Sequence, residues 1–291
     1  METTTEQRFY VYALVNNLII EQVEKGTIPW QQPWTAAGLP QNLITKKPYR
    51  GINVWLLASL GYSQNYFLTY KQLKELGGTV KKGEKSCPVV YWKFEEKIDE
   101  KTEEVKKRSL LRYYSVFNIV QCEGLPENRI PAQTESDLQP LAQCEMLIEG
   151  MPKCPPIVYQ DHQACYYPLK DYVNMPPMGT FISSDSYYSV LFHELVHSTG
   201  HDSRLGRKGI VEITSFGSLT YSFEELIAEL GACYLNSLTG ISPKIFRNNA
   251  AYIQGWLRKF KDDKRFLISA AAHSQKAVDF ILDVQHETIE K

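Results

Sequence analysis

Residues 187 to 201 read YYSVLFHELVHSTGH, which sets His193 and His197 four apart with Glu194 between them. Two histidines at i and i+4 stand one above the other on a helix, so both imidazoles can address one metal ion. Glu194 is about 100° further round, where a carboxylate can reach a metal-activated water as general base without displacing it. By residue frequencies H-E-x-x-H arises by chance in roughly one chain of this size in a hundred, so its surroundings carry weight. Val190, Leu191, Leu195 and Val196 flank the histidines with apolar side chains, as a buried helix with a dry metal shell requires.

A catalytic zinc site needs a third protein ligand and an open position. FEELIAELGACYL, from Phe223 to Leu235, supplies it: Glu225 is the expected third ligand, and Glu229, one turn on, is expected to orient a ligand histidine from outside. Small Ala228, Gly231 and Ala232 would let that helix approach the histidine helix closely. The longer pattern H-E-x-x-H-x-x-G-x-x-H is excluded, because Ser203 stands where its last histidine belongs and His201 is out of register. Zn²⁺ is the expected ion, with another divalent transition metal also compatible with these ligands.

Hydrophobic periodicity predicts the elements that must hold these groups. Helices are expected over Glu6–Lys25, Ile52–Leu60, Tyr70–Leu76, Leu141–Gly150, Ser186–Thr199, Phe223–Leu238, Ser242–Lys261 and Asp263–Val284. A hairpin should pair Cys87–Phe94 with Leu110–Gln121 across a charged, solvated turn, and short strands should lie at IVYQ and ACYYP. Leu125 to Pro140, proline-containing and poor in large apolar groups, reads as a linker. The expected fold class is therefore α+β in two domains, residues 1–125 and a mainly helical 141–291, joined by 126–140.

Net charge separates the halves. Residues 1–125 hold 17 Lys/Arg and 13 Asp/Glu, whereas the remainder holds 15 and 20. Pro40–Lys93 concentrates nine basic residues against two acids, interleaved with aromatics. Lysines and arginines neutralise phosphates while unpaired bases stack on aromatic faces, so this segment is a candidate surface for single-stranded nucleic acid. Its expected contacts are Lys46, Lys47, Tyr49, Arg50, Asn53, Tyr70, Lys71, Lys82 and Lys85, preceded by Trp30 and Trp34.

The 291-residue chain is 43% apolar and 22% charged, a globular composition that excludes disorder, collagen and coiled coil. The uncharged run Gly51 to Tyr70 is broken by Asn53, Gln64 and Asn65, so no membrane span is expected. METTTEQRFYVY lacks the basic then apolar order of a secretory signal, and a cytoplasmic location is expected. Six scattered cysteines without a C-x-x-C pair read as reduced, mostly buried thiols.

Ordered segments along nearly the whole chain resemble the ArdC-type antirestriction proteins of plasmids and other mobile elements. They are EKG-x-x-PW-x-x-PW (Glu24–Trp34), YRGIN (Tyr49–Asn53), LTYKQ (Leu68–Gln72), KGEK (Lys82–Lys85), FNIVQCEGL (Phe117–Leu125), HELVHSTG (His193–Gly200), SRLGR (Ser203–Arg207) and EELIAEL (Glu224–Leu230). The resemblance implies an N-terminal domain that binds single-stranded DNA, a C-terminal zincin-like metallopeptidase domain, and protection of incoming DNA during conjugation. Two functional classes follow: a zinc peptidase acting on a DNA-bound protein, or a non-catalytic DNA shield whose metal is structural. Glu194 tilts the reading to the enzyme, because a structural site needs no general base.

Overall fold

The computed structural model describes residues 5–24, 39–98, 105–130, 140–181, 183–212, 219–241 and 250–284. It is an α+β chain whose first half is built around a four-stranded sheet. Helix α1 (Thr5–Glu24) leads to β1 (Gln41–Asn42), α2 (Ile52–Ala58), β2 (Tyr66–Thr69), α3 (Tyr70–Glu75) and β3 (Thr79–Val80). Strands β4 (Cys87–Ile98) and β5 (Val105–Asn118) then form the long hairpin, before β6 (Cys122–Glu123) pairs back to β3. The sheet order is β1-β2-β5-β4, antiparallel except for β1 beside β2. A capping box fixes the start of α3: Thr69 Oγ1 accepts from Gln72 N at 3.2 Å, and Gln72 Oε1 accepts from Thr69 N at 2.9 Å.

The hairpin exceeds its expected length. Pairing runs from Cys87 opposite Val116 to Ile98 opposite Val105 without a bulge, so part of the charged segment expected as turn is strand.

The second half contains α4 (Pro140–Gly150), the sheet β7-β9-β8 from Ile157–Val158, Tyr172–Asn174 and Cys165–Tyr167, and a helical layer. That layer is α5 (Ser184–Ser198), α6 (Lys208–Val211), α7 (Leu219–Thr239), α8 (Ala250–Asp262) and α9 (Phe266–Ile281). Ser183 caps α5, its hydroxyl accepting from Ser186 N at 3.2 Å. The expected helix Ser242–Lys261 is observed from Ala250; its first eight residues, 242–249, lie outside the described residues, as do 131–139 of the expected linker.

Small residues do set the α5–α7 approach. A Cβ at Gly231 would sit 2.6 Å from Val196 Cγ2, inside van der Waals contact. Gly231→Ala gains about 1 kcal/mol of helix propensity, yet overpacking costs about 1–3 kcal/mol. A lowered melting temperature is expected, partly restored by adding Val196→Ala; an unchanged melt for the single variant would mean that the helices separate freely.

One large core spans both halves of the chain. Val15 and Ile19 of α1, Val54 and Trp55 of α2, and Val90 and Leu111 of the hairpin join Phe192, Leu195, Leu226, Leu230, Leu267 and Val278. Trp55 meets Tyr234 edge-on at 6.2 Å, Gly51 N donates to Gln275 Oε1 at 2.9 Å, and Arg50 pairs with Asp279. Helix α5, which carries the histidines, is thus packed within a core to which the N-terminal half contributes. No helix among the described residues is long and apolar enough to cross a membrane.

Candidate metal centre

His193 and His197 project from one face of α5 and Glu225 from the facing side of α7. The imidazole Nε2 atoms lie 3.1 Å apart. Glu225 Oε2 is 3.7 Å from His193 Nε2, and its Oε1 is 3.5 Å from His197 Nε2. Tetrahedral donors at about 2.0–2.2 Å from a common ion are separated by roughly 3.3–3.6 Å, so these spacings fit one divalent cation. Among the described residues, this is the group of His, Cys, Asp and Glu side chains that converges in this way. His201 is not part of it; its Nδ1 lies 2.8 Å from Ser203 Oγ.

Glu194 is 5% exposed and lines the same cleft of about 420 Å³. Its Oε2 accepts from the backbone N–H of Tyr166 on edge strand β8 at 2.9 Å, which fixes the carboxylate's orientation. Tyr166 is braced in turn, because its hydroxyl donates to Asp171 at 2.8 Å. Arg204 grips that same carboxylate with two nitrogens at 2.7 and 3.0 Å.

Behind His197 the expected partner changes. Glu224, rather than Glu229, faces His197 Nδ1, at 3.3 Å. Adjacent residues on α7 differ by 100° in direction, so Glu225 and Glu224 reach opposite nitrogens of one imidazole. Glu229 lies a turn further on, beside Cys233, whose thiol is pushed up first by burial and then by this carboxylate.

Glu224 is itself held by Arg207, whose Nη2 donates to Oε1 at 2.6 Å and Nε to Oε2 at 3.0 Å. The guanidinium also donates to Thr199 Oγ1 at 2.6 Å and to the Val196 carbonyl at 2.8 Å, tying the end of α5 to α7. Burial opposes ionisation of Glu224, but the hydrogen bonds of His197 and Arg207 win and bring its pKa from 4.5 to about 2. Burial likewise opposes charge on His197, but Glu224 and Glu225 carry its pKa from 6.5 up to about 10. Glu225 is pushed below the usual carboxylate range, the two histidines overriding its burial. The arginines belong to the SRLGR segment, whose role the spacing of the histidines does not reveal.

The expected nucleic-acid contacts scatter. Tyr49 is buried in a small cluster with Leu57, Phe67, Val89 and Val116, so it is a core residue without a free ring face. Asn53 exchanges two 2.8 Å hydrogen bonds with the backbone of Val90 and serves to dock the hairpin. Arg50 ties α9 to the N-terminal half through Asp279. Lys46, Lys47, Lys82 and Lys85 are exposed, Lys46 lying 5.0 Å over the Tyr66 ring. Tyr70 is exposed beneath Lys74, and Lys71 lies 3.9 Å from Glu75. Trp30 and Trp34 lie outside the described residues. Tyr91 and Trp92, two of the aromatics of the basic segment, are exposed; pairing of β4 with β5 brings Arg112 and exposed Tyr114, which lie beyond that segment, onto the face of Tyr91. All six cysteines are free, and burial raises Cys87 to about 12 and Cys144 to about 11.

Residues 9–117 match the family described as the N-terminal domain of anti-restriction factor ArdC, and residues 150–273 match a zincin-like metallopeptidase family. Two Escherichia coli proteins named DNA primase TraC are each 34% identical over 94% and 96% of this chain, which spans only 27% and 20% of their lengths. The uncharacterized protein y4eC of Sinorhizobium fredii is 31% identical over 93% of this chain and 91% of its own length. The metal-free crystal structure of antirestriction protein ArdC from plasmid R388 superposes with a TM-score of 0.77 at 41% identity, covering 94% of this chain and 96% of that one. Its Mn(II)-bound form gives 0.73 at 39% identity, over 94% and 97%. Likeness at this identity along nearly the full length of both chains, with His193, His197 and Glu225 converging inside the zincin-like match, establishes that this chain belongs to the ArdC family of antirestriction proteins.

Proposed function

We propose that this protein binds single-stranded DNA and protects incoming DNA of a mobile element from restriction in the cytoplasm of a recipient cell. On this reading its metal centre hydrolyses a peptide bond in a DNA-bound protein. The observation that carries the hydrolytic reading is Glu194: a carboxylate beside the three-donor cradle, oriented by Tyr166 N–H, and not itself one of the donors. His193, His197 and Glu225 would hold the ion, for which two imidazoles and one carboxylate favour Zn²⁺ while leaving Mn²⁺ acceptable. A divalent cation there supplies Lewis acidity toward a carbonyl and a water molecule.

The chain's own groups do the remaining work. Glu194 accepts the water's proton and returns it to the departing amide nitrogen, a transfer that a fixed, buried carboxylate performs without reorganising. Glu224 and Arg207 hold the His197 ring at the angle at which Nε2 points into the cleft. The basic balance of residues 1–125 suits a polyanion partner. Fluorescence anisotropy of the full chain with a labelled oligo-dT tests the DNA half of the reading. Tighter binding to the single strand than to a duplex of equal length is expected, weakening steeply with salt; absence of single-strand binding would contradict it.

A further inference from the structure

Pairing of β4 with β5 sorts the hairpin's residues onto two unlike faces. Directly opposite residues in an antiparallel ladder share a face. The unbroken register therefore groups positions 87, 89, 91 and 93 with 116, 114, 112 and 110. These positions carry Lys93 and Arg112 and no acid. The other face carries no charged residue at positions 88, 90, 92, 94, 111, 113 and 115. That neutral face is also the one whose Val90 and Leu111 enter the main core. The basic face is anchored at its base by buried Val89 and Val116. Beyond them Tyr91 and Tyr114 stand 43% and 39% exposed, their ring centroids 5.8 Å apart.

We propose that this basic face of the hairpin is the seat for single-stranded DNA, with bases stacking on Tyr91 and Tyr114 and phosphates meeting Arg112 and Lys93. The inference rests on the single-strand reading above and gives it a location. Aromatic side chains on a positively charged strand surface are what sequence-tolerant binding of unpaired bases requires. A duplex offers no free base face to the tyrosines, and an acidic protein would use the charges without them. A paired ladder also needs little backbone ordering on binding, because its main chain is already set by the pairing.

Oligo-dT anisotropy across a salt series, with thermal melts of each full-length variant, tests the seat. Tyr91→Ala is expected to weaken binding about tenfold with little change in salt dependence, and Tyr91→Phe to bind as wild type. Arg112→Gln is expected to reduce the slope of log affinity against log salt by about 0.7. Trp92→Ala, on the neutral face, should leave affinity in place. Wild-type binding that survives unchanged in Tyr91→Ala, Tyr114→Ala and Arg112→Gln would overturn the seat while leaving single-strand binding intact. A loss confined to Trp92→Ala would overturn it in favour of the opposite face. Failure of the wild type to bind would remove both the seat and the reading on which it rests.

Discussion

Arg207→Met is expected to destabilise the protein by about 3–5 kcal/mol, the cost of leaving a buried carboxylate without its cationic partner. Both partners are almost fully buried, at 6% and 5% side-chain exposure, so water cannot replace the lost hydrogen bonds. A chemical-denaturation midpoint that falls with an unchanged slope would report this as a stability change. The double variant Arg207→Met/Glu224→Leu should recover most of the loss, since removing both charges leaves no orphan. The same pair predicts an acid limb. The Glu224 pKa falls from 4.5 to about 2 on folding, so its contribution is complete above pH 4.5 and is lost as pH falls toward 2. In Glu224→Gln that part of the acid dependence should disappear. A single variant as stable as wild type would show that the Arg207 cluster does not hold α5 against α7.

Equally large effects are expected at the cradle. His193→Ala, His197→Ala and Glu225→Ala should each bind divalent metal far more weakly, because two remaining donors no longer enclose an ion. Glu194→Gln should retain the metal, its carboxylate lying outside the converging donor set. Elemental analysis after loading with Zn²⁺ or Mn²⁺ and dialysis reads both outcomes. Full occupancy in Glu225→Ala would move the third ligand elsewhere.

The spacing of His193, Glu194 and His197 made the metal centre legible in the sequence, because helical geometry alone brings i and i+4 together. Glu225 was legible as well, since few acids lie on a second apolar helix with small residues at its contact face. The partner of His197 was not. Which of the α7 carboxylates meets Nδ1 depends on that helix's rotation against α5, a tertiary quantity settled at contacts such as Gly231 against Val196. Arg207 and Arg204 act from a loop, where no periodicity announces direction, although their recurrence in SRLGR was visible.

The nucleic-acid surface was legible in composition and blurred in detail. Tyr49, Arg50 and Asn53 sit in one basic, aromatic segment, yet they become respectively core, inter-half ion pair and hairpin dock. Interleaved aromatic and basic residues look alike before it is known which ring is buried. Tyr91 lay in that segment, but its partner Tyr114 escaped for a related reason: the two are 23 positions apart and become neighbours only through the β4–β5 register.

Comparison of Glu194→Gln with wild type in a conjugation assay against a restricting recipient tests the account most directly. The variant should keep its fold, its metal and its binding to oligo-dT, and yet lose protection of the incoming DNA, because the proton acceptor for hydrolysis is gone. Full protection by a metal-loaded, DNA-binding Glu194→Gln protein would contradict the hydrolytic reading and leave a DNA-binding shield with a structural metal.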